Sequence, residues 1–316
     1  KEVTGSKSEE WRALASTADR AWRARSRVER GDLIGAEPLL ESLAADFQGH
    51  SGPTASVVFE SLLRCRLARQ AHASAVEPWI AWLTAGAGDG FLVGATATMG
   101  SRDARLVASL PPIWQAGPSL GSLASVPASE GLPSVLSALR ELYCAAARFE
   151  LDGVELEATY SSADPAVAFV RDIVLARAGN ARARAIARES LRKRLESEVI
   201  GWAQAWCRAG IGRSLLREDD IESKRRAIIE LLAVHVQHGD EVPYLAGLVL
   251  SDAASACESI GDVATAAVLW SEIGDRYPGH PSATAARRAG RAARNAAAEA
   301  PAEPAPEVLP PLDEGG

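Results

Sequence analysis

His235 and His238, in the stretch Val234-His-Val-Gln-His-Gly-Asp-Glu241, are the nearest approach in the chain to a metal-ligand set. Side chains at i and i+3 of a helix point the same way, and Asp240 or Glu241 could complete a tetrahedral site. The reading we prefer is a helix C-terminus, where cationic histidine suits the macrodipole and Gly239 the cap, so no metal is expected. His50 and His280 each stand in a Gly-His loop at matching positions of two similar segments, and turn structure accounts for them better than catalysis. Cys65, Cys144, Cys207 and Cys257 are widely spaced in apolar stretches, with no Cys-x-x-Cys pair among them. They read as small buried residues, with a disulfide open only in an oxidising compartment.

Signatures of nucleophilic or phosphoryl chemistry are missing. No G-x-S-x-G elbow is present, Gly100-Ser101 has no strand before it, and no G-x-x-x-x-G-K-[ST] loop exists. The glycines at 86–100 lack a surrounding βαβ unit, so they do not make a dinucleotide fingerprint and no cofactor is expected. Glu150, Asp152, Glu155 and Glu157 gather at a helix end, where solvated carboxylates are the expectation. The densest charge is basic: Arg177, Arg182, Arg184, Arg188, Arg192, Lys193 and Arg194, with Glu189 the only acid among them. A helical wheel spreads these over more than one face. They read as a solvated surface or as a docking patch for an acidic partner, the acidic tail included, with Arg182, Arg184, Arg188 and Arg192 the candidate contacts. Trp79, Trp82 and Trp114 form an aromatic group. Leu110-Pro-Pro-Ile-Trp114, kept extended by its prolines, either fills the core beneath a loop or lies in a helical groove as an internal ligand, and Trp114 joins the candidate partner contacts.

A net charge of −7 over 316 residues argues against general nucleic-acid binding, which needs a basic surface. Arginine outnumbers lysine 30 to 4, a skew that reports a GC-rich coding genome better than arginine chemistry. No apolar run reaches the ~18 residues of a membrane span. Lys1 in place of a methionine predicts that a preceding segment was removed, with room there for an export signal.

The elements that must position these residues are helices. Apolar residues recur at i, i+3 and i+4, and alternating β-branched runs are missing. The periodicity predicts helices near 8–30, 34–47, 53–70 and 75–84, then 134–150, 164–178, 181–197, 199–217, 221–237, 243–260, 262–277 and 281–298. Between the two sets, glycine and proline are too dense for a long helix. Residues 86–133 therefore divide an N-terminal helical region (1–85) from a C-terminal one (134–299), either as a functional loop laid over the helices or as a connector. A short helix at Ser101–Leu110 could interrupt it. The tail at 300–316 is proline-rich, acidic and of disordered composition.

One self-similarity organises the whole. Gly31–Ala55 and Gly261–Ala285 share eight identities in register without a gap, where average composition predicts roughly two. They are Gly31/Gly261, Asp32/Asp262, Ala36/Ala266, Leu39/Leu269, Gly49/Gly279, His50/His280, Thr54/Thr284 and Ala55/Ala285, with Phe47 facing Tyr277. Similarity at helix-turn-helix length marks a repeat array.

The C-terminal third resembles the tetratricopeptide repeat, a helical hairpin with small residues where its helices approach. With Gly261-Asp262 on the interhelical turn, Ala266 takes the small position of the second helix, Trp270 the large one four later and Pro278 the closing proline. Ala253-Ala254 fall at the close-packing site of the first helix, and Trp206-Cys-Arg-Ala-Gly210 resembles the family's W-x-x-L-G opening. The Tyr-Pro ending is similar to repeats of bacterial envelope proteins, which leans towards periplasm or cell envelope over cytoplasm. Roughly 200–295 carry the resemblance well and 8–70 more weakly. Arg217–Arg226 stands as a charged insertion where a tight turn belongs, and 71–198 match only in being helical. The resemblance implies an all-α solenoid acting as a non-catalytic scaffold for a peptide or protein segment. The rival is an enzyme or small-ligand protein with its site between 86–133 and helices 134–198.

Overall fold

The computed structural model describes residues 3–86, 104–126, 131–157 and 163–299. Among them are thirteen α-helices and a 3-10 turn at Pro118–Leu120. The first four helices are α1 (Val3–Glu29), α2 (Leu33–Asp46), α3 (Pro53–Ala68) and α4 (His72–Thr84). A short α5 (Gly121–Ala124) and a long α6 (Ser134–Asp152) follow the loop. The rest are α7 (Pro165–Ala178), α8 (Ala181–Ser197), α9 (Gly201–Leu215), α10 (Ile221–His238), α11 (Pro243–Ser259), α12 (Val263–Arg276) and α13 (Ala283–Glu299). A single parallel bridge, Leu156 to Gly179, is the β pairing found among the described residues.

Consecutive helices pack on each other throughout, and alternate helices also touch: α1 with α3, α4 with α6, α7 with α9, α9 with α11. This is the contact pattern of an α-solenoid. In the C-terminal half α7, α9 and α11 form an inner row behind α8, α10 and α12. Inner helices are apolar nearly all round, as a helix covered on every side must be. In α9 every residue from Ala209 to Leu215 is buried. Small residues permit the approach: a Cβ on Gly210 would come within 2.9 Å of Leu191, and one on Gly212 within 2.7 Å of Leu231. The outer helices keep exposed apolar residues such as Ile186, Ile229 and Val268.

The two similar segments share their turn and helix start. Gly31 and Gly261 take left-handed φ of 80° and 85°, a conformation that costs side chains bearing a Cβ. The following aspartates cap 14-residue helices: Asp32 accepts from the Gly35 amide at 3.0 Å and Asp262 from the Thr265 amide at 3.1 Å. Ala36 and Ala266 are both buried at the helix contacts.

Three expectations need correction. Residues 104–110, the described part of the short helix expected at Ser101–Leu110, are not helical; the helical turn lies later, at Pro118–Ala124. The charged insertion is shorter than its sequence suggests, because α10 begins at Ile221 with Asp220 capping it through the Ser223 amide at 2.7 Å. Gly239 ends α10 with right-handed φ of −56°, not in the left-handed conformation of a glycine cap. Gly88, Gly90, Gly94, Gly100, Ser101 and the 300–316 tail lie outside the described residues.

One large apolar core runs from Ala55 to Ala286 and takes in the loop residues Ala104, Leu106, Ala108, Leu110, Ile113, Trp114, Leu120 and Leu123. A smaller core holds α1 and α2 against α3 through Ala24, Val28, Ala36, Leu40, Leu43, Val58, Leu62 and Cys65. Residues 104–114 are thus interior structure, shared by the helices before and after them, while Gln115, Ala116, Pro118 and Ser119 reach the surface.

Candidate functional site

Residues 104–115 pass between α4, α6, α9 and α11, turning at 107–110 where the Leu110 amide donates to Val107 O at 2.9 Å, and side chains of three of these helices grip their carbonyls. Trp79 Nε1 donates to Arg105 O at 3.1 Å and Trp206 Nε1 to Ala108 O at 3.2 Å. His72 Nδ1 donates to Ser109 O at 2.7 Å, and the Tyr143 hydroxyl to Leu110 O at 2.6 Å. Buried indole and phenol groups need partners, and here the partners are main-chain oxygens, indifferent to side-chain identity. Selectivity comes from the apolar anchors: Leu110, Ile113 and Trp114 are all at most 3% exposed. Trp114 sits edge-on to Tyr143, their centroids 6.0 Å apart, and its own indole nitrogen reaches Tyr143 O at 3.4 Å. Pro111 and Pro112 have no amide hydrogen, so the segment enters the apolar seat with two fewer donors to satisfy.

A second layer closes the far side. His72 stacks on Tyr244 of α11 with ring centroids 3.6 Å apart, and Tyr244 leans on His280 at 5.4 Å. Ser282 donates its hydroxyl to the Gln115 side chain, tying the start of α13 to the end of the gripped segment. Burial drives both histidines towards the neutral form, His72 to a pKa of about 4 and His280 to about 4. For His72 the bond to Ser109 opposes that shift without overcoming it.

Below Trp114 lies a buried ionic cluster that the sequence did not announce. Glu150, expected at a solvated helix end, is 8% exposed at its side chain and bridges Arg177 Nε at 2.9 Å and Arg213 Nη2 at 3.2 Å. Arg213 reaches on to Asp252 at 2.9 Å. Burial alone would raise the Glu150 carboxyl, but Arg213, Arg177 and Arg217 together hold it below its ordinary range. Burial raises the Asp252 carboxyl against the pull of the same Arg213. The carboxylates meet arginines rather than each other, so the cluster clamps α6, α7, α9 and α11 together and offers no acid–base pair. Asp152, Glu155 and Glu157 stay exposed, with Glu155 taking Arg217 at 3.2 Å.

The basic stretch does not assemble as one surface. Arg184 turns inward and donates to Gly179 O at 3.2 Å, and Arg188 reaches Glu218 at 3.1 Å. Arg194 lies over the Phe169 ring at 4.6 Å. Arg192 is near Glu189 at 3.9 Å, and Arg182 is exposed. Trp114, offered by sequence as a partner contact, is 1% exposed and anchors the chain's own loop. The repeat positions Gly210, Ala253 and Ala254 are buried; Trp270 is half-buried with Nε1 on Glu258 at 2.8 Å, and Pro278 is exposed.

His235 is engaged by the Tyr277 hydroxyl at 2.9 Å and lies 3.5 Å from Glu272, while His238 is 4.0 Å from Glu241. Burial lowers the pKa of both, so they favour the neutral form and not the cationic one a dipole-stabilising role would use. Among the described residues no three His, Cys, Asp or Glu side chains converge as metal ligands. The four cysteines are buried and unpaired. No described helix is long and apolar enough to cross a membrane.

The space between Pro112–Trp114 and helices α6, α7 and α9 amounts to about 10 Å³, about enough for a single water at most. A roomier cleft of about 490 Å³ lies elsewhere, between α2, α3, α4 and α6, with Phe59, Leu62, Pro78 and Ala81 inside and Arg66 and Arg140 among its charged residues.

The gripping residues His72, Tyr143 and Tyr244 were not singled out by sequence. Their partners lie 29 to 172 positions away in the chain, so no local pattern marks them. The signal that existed was indirect: Trp79 and Trp206 stand in apolar helical stretches, and a buried indole must donate to something. No family model matches the chain, and neither a curated protein nor a solved structure matches it.

Proposed function

We propose that this chain is a non-catalytic interaction module, built of tetratricopeptide-like hairpins, that binds extended peptide segments in the groove between α4, α6, α9 and α11. The observation that carries the reading is the grip on Arg105, Ala108, Ser109 and Leu110. Four side chains from three helices donate to four main-chain oxygens, while Leu110, Ile113 and Trp114 fill apolar seats. Backbone bonds supply affinity and anchor pockets supply selectivity, the division of labour seen where a peptide adds to a sheet edge, here provided by helix side chains. Residues 104–115 hold the groove as a ligand in cis. The near absence of space around Trp114 and the pairing of Glu150 with arginines support a binding role over a catalytic one at this place.

The test is a synthetic peptide copying residues 104–115, added to the Trp114→Ala variant, in which the resident segment has lost its largest anchor. Saturable binding that is weakened in the Tyr143→Phe background supports the reading; no binding to a folded variant contradicts it. A second reading, small-ligand binding, is favoured by the cleft of about 490 Å³ between α2, α3, α4 and α6. A small-molecule hit whose affinity collapses in Ala81→Trp, a substitution that fills this cleft, would favour that reading.

A further inference from the structure

The chain contains two Pro-Pro pairs and no more, and both stand in the same setting. Leu110-Pro-Pro-Ile113 occupies the groove, and Leu309-Pro-Pro-Leu312 stands in the tail after α13. Each pair is preceded by leucine and followed by a branched aliphatic residue. We propose that the groove is a receptor for Leu-Pro-Pro-aliphatic segments, and that the tail segment Val308–Leu312 is the exchangeable ligand that takes the seat when the loop leaves it. This rests on the peptide-binding reading above and names its ligand.

The features that seat the loop are met by the tail. The two prolines bias the chain towards an extended polyproline conformation and bring no amide hydrogens into the apolar groove. Tyr143 needs only the carbonyl of the leucine before them, and His72 only the carbonyl before that. These are Leu309 and Val308 in the tail, so a valine replaces Ser109 without losing an acceptor. Leu110 and Ile113, both buried, have Leu309 and Leu312 as counterparts. The differences fall on both sides: Ala108 and Leu106 are buried where the tail carries Glu307 and Ala305, and Trp114 is a buried anchor where the tail carries Asp313. The loop therefore holds the seat in the resting protein, and the tail is the weaker, displaceable occupant.

Reach permits the exchange within one molecule. Ser282, at the head of α13, is bonded to Gln115 at the mouth of the groove. Seventeen helical residues carry the chain about 25 Å from there to Glu299. The ten residues from there to Leu309 span up to about 35 Å when extended, enough to return. The same segment of a second copy offers identical chemistry.

The test uses ¹⁵N-labelled full-length chain and the indole N–H resonances of Trp79 and Trp206, which report on the gripped carbonyls directly. The probe is the synthetic peptide Glu-Pro-Ala-Pro-Glu-Val-Leu-Pro-Pro-Leu-Asp-Glu, residues 303–314, which supplies a carbonyl opposite both indoles. In Trp114→Ala we expect both indoles to shift saturably, with affinity at least tenfold above that of the same peptide carrying Asp at positions 309 and 312. If Trp114→Ala does not fold, Ile113→Ala, which removes the neighbouring anchor of the loop and leaves the four donors in place, replaces it. A tail peptide that leaves the indoles unmoved, or binds no better than its Asp-substituted form, overturns the proposal. Should it fail where a peptide copying 104–115 binds, the groove reads peptides and only the tail assignment falls; should both fail, the peptide-binding reading falls as well. Mixing labelled chain with unlabelled chain lacking 300–316 separates the sources. Displacement of the loop that persists upon dilution assigns the tail in cis, and displacement that vanishes assigns it to a second copy.

Discussion

Segments 31–55 and 261–285 start their helices alike, diverge in the loop that follows, where Gly49 is left-handed with φ of 75° and Gly279 is not, and differ in chemistry. Each opens on a left-handed glycine, caps with aspartate, buries an alanine four residues on, and closes its loop with a histidine amide bonded to an aromatic residue's carbonyl: His50 to Phe47 at 3.0 Å, His280 to Tyr277 at 2.9 Å. The histidine side chains then part. His50 is exposed, its Nδ1 3.3 Å from Gln48 O, whereas His280 is 6% exposed against Tyr244 and over Gly247, where a Cβ would clash with its ring. Ala55 is buried where α3 is followed by α4, and Ala285 is exposed on α13, which packs on α12. Local sequence thus sets the turn and helix start of the unit, and the neighbour that covers it decides whether its polar groups are solvated or structural. In the C-terminal copy that neighbour belongs to the wall of the loop-filled groove.

Acid should expose this difference most strongly. His280 and His72 have folded pKa values of about 4, against an ordinary value near 6.5. The unfolded chain therefore binds more protons between those limits. Their contribution is fully present above pH 6.5, falls as the pH drops towards 4, and levels off below. About 3 kcal/mol per ring is at stake over that window. Chemical denaturation at pH 7 and pH 4.5 should show the loss, diminished in His280→Gln and unchanged in His50→Gln. Equal responses of the two variants would mean that the copies do not differ in burial.

A smaller and symmetric effect is expected at the shared contact. Ala36→Leu and Ala266→Leu should each cost about 1–3 kcal/mol, as overpacking of a tight crossing does. If only one melting temperature falls, the two alanines do not occupy equivalent helix contacts. Smaller still, Gly31→Ala and Gly261→Ala should each cost about 1 kcal/mol. Neither position has an atom within 4 Å of the added Cβ, so backbone conformation alone sets the effect. Urea midpoints that differ by more than this would break the equivalence of the two turns.

Much of the scaffold was legible because it is written locally. Periodicity located every long helix, and the paired Gly-Asp steps at 31 and 261 located the repeated turn. Leu110–Trp114 was recognised as a segment unsuited to solvent, because two prolines and a tryptophan favour an apolar seat. The seat itself was not legible. Trp206 meets Ala108 across 98 residues and His72 meets Tyr244 across 172, and no spacing rule links such pairs. Glu150 misled for the same reason: in sequence it is one of four carboxylates at a helix end, and only Arg177 and Arg213, brought in by α7 and α9, make its burial tolerable.

The central claim is that the chain holds its own groove with residues 104–115. Hydrogen exchange of the tryptophan indoles, followed by NMR at neutral pH, addresses it most directly, because Trp79 and Trp206 donate to Arg105 O and Ala108 O. The account predicts that both indoles exchange orders of magnitude more slowly than the exposed Trp22, and that Trp114→Ala accelerates them while far-UV circular dichroism stays helical. Indoles of Trp79 and Trp206 that exchange as fast as that of Trp22 in the unaltered protein would show the groove empty and contradict the account.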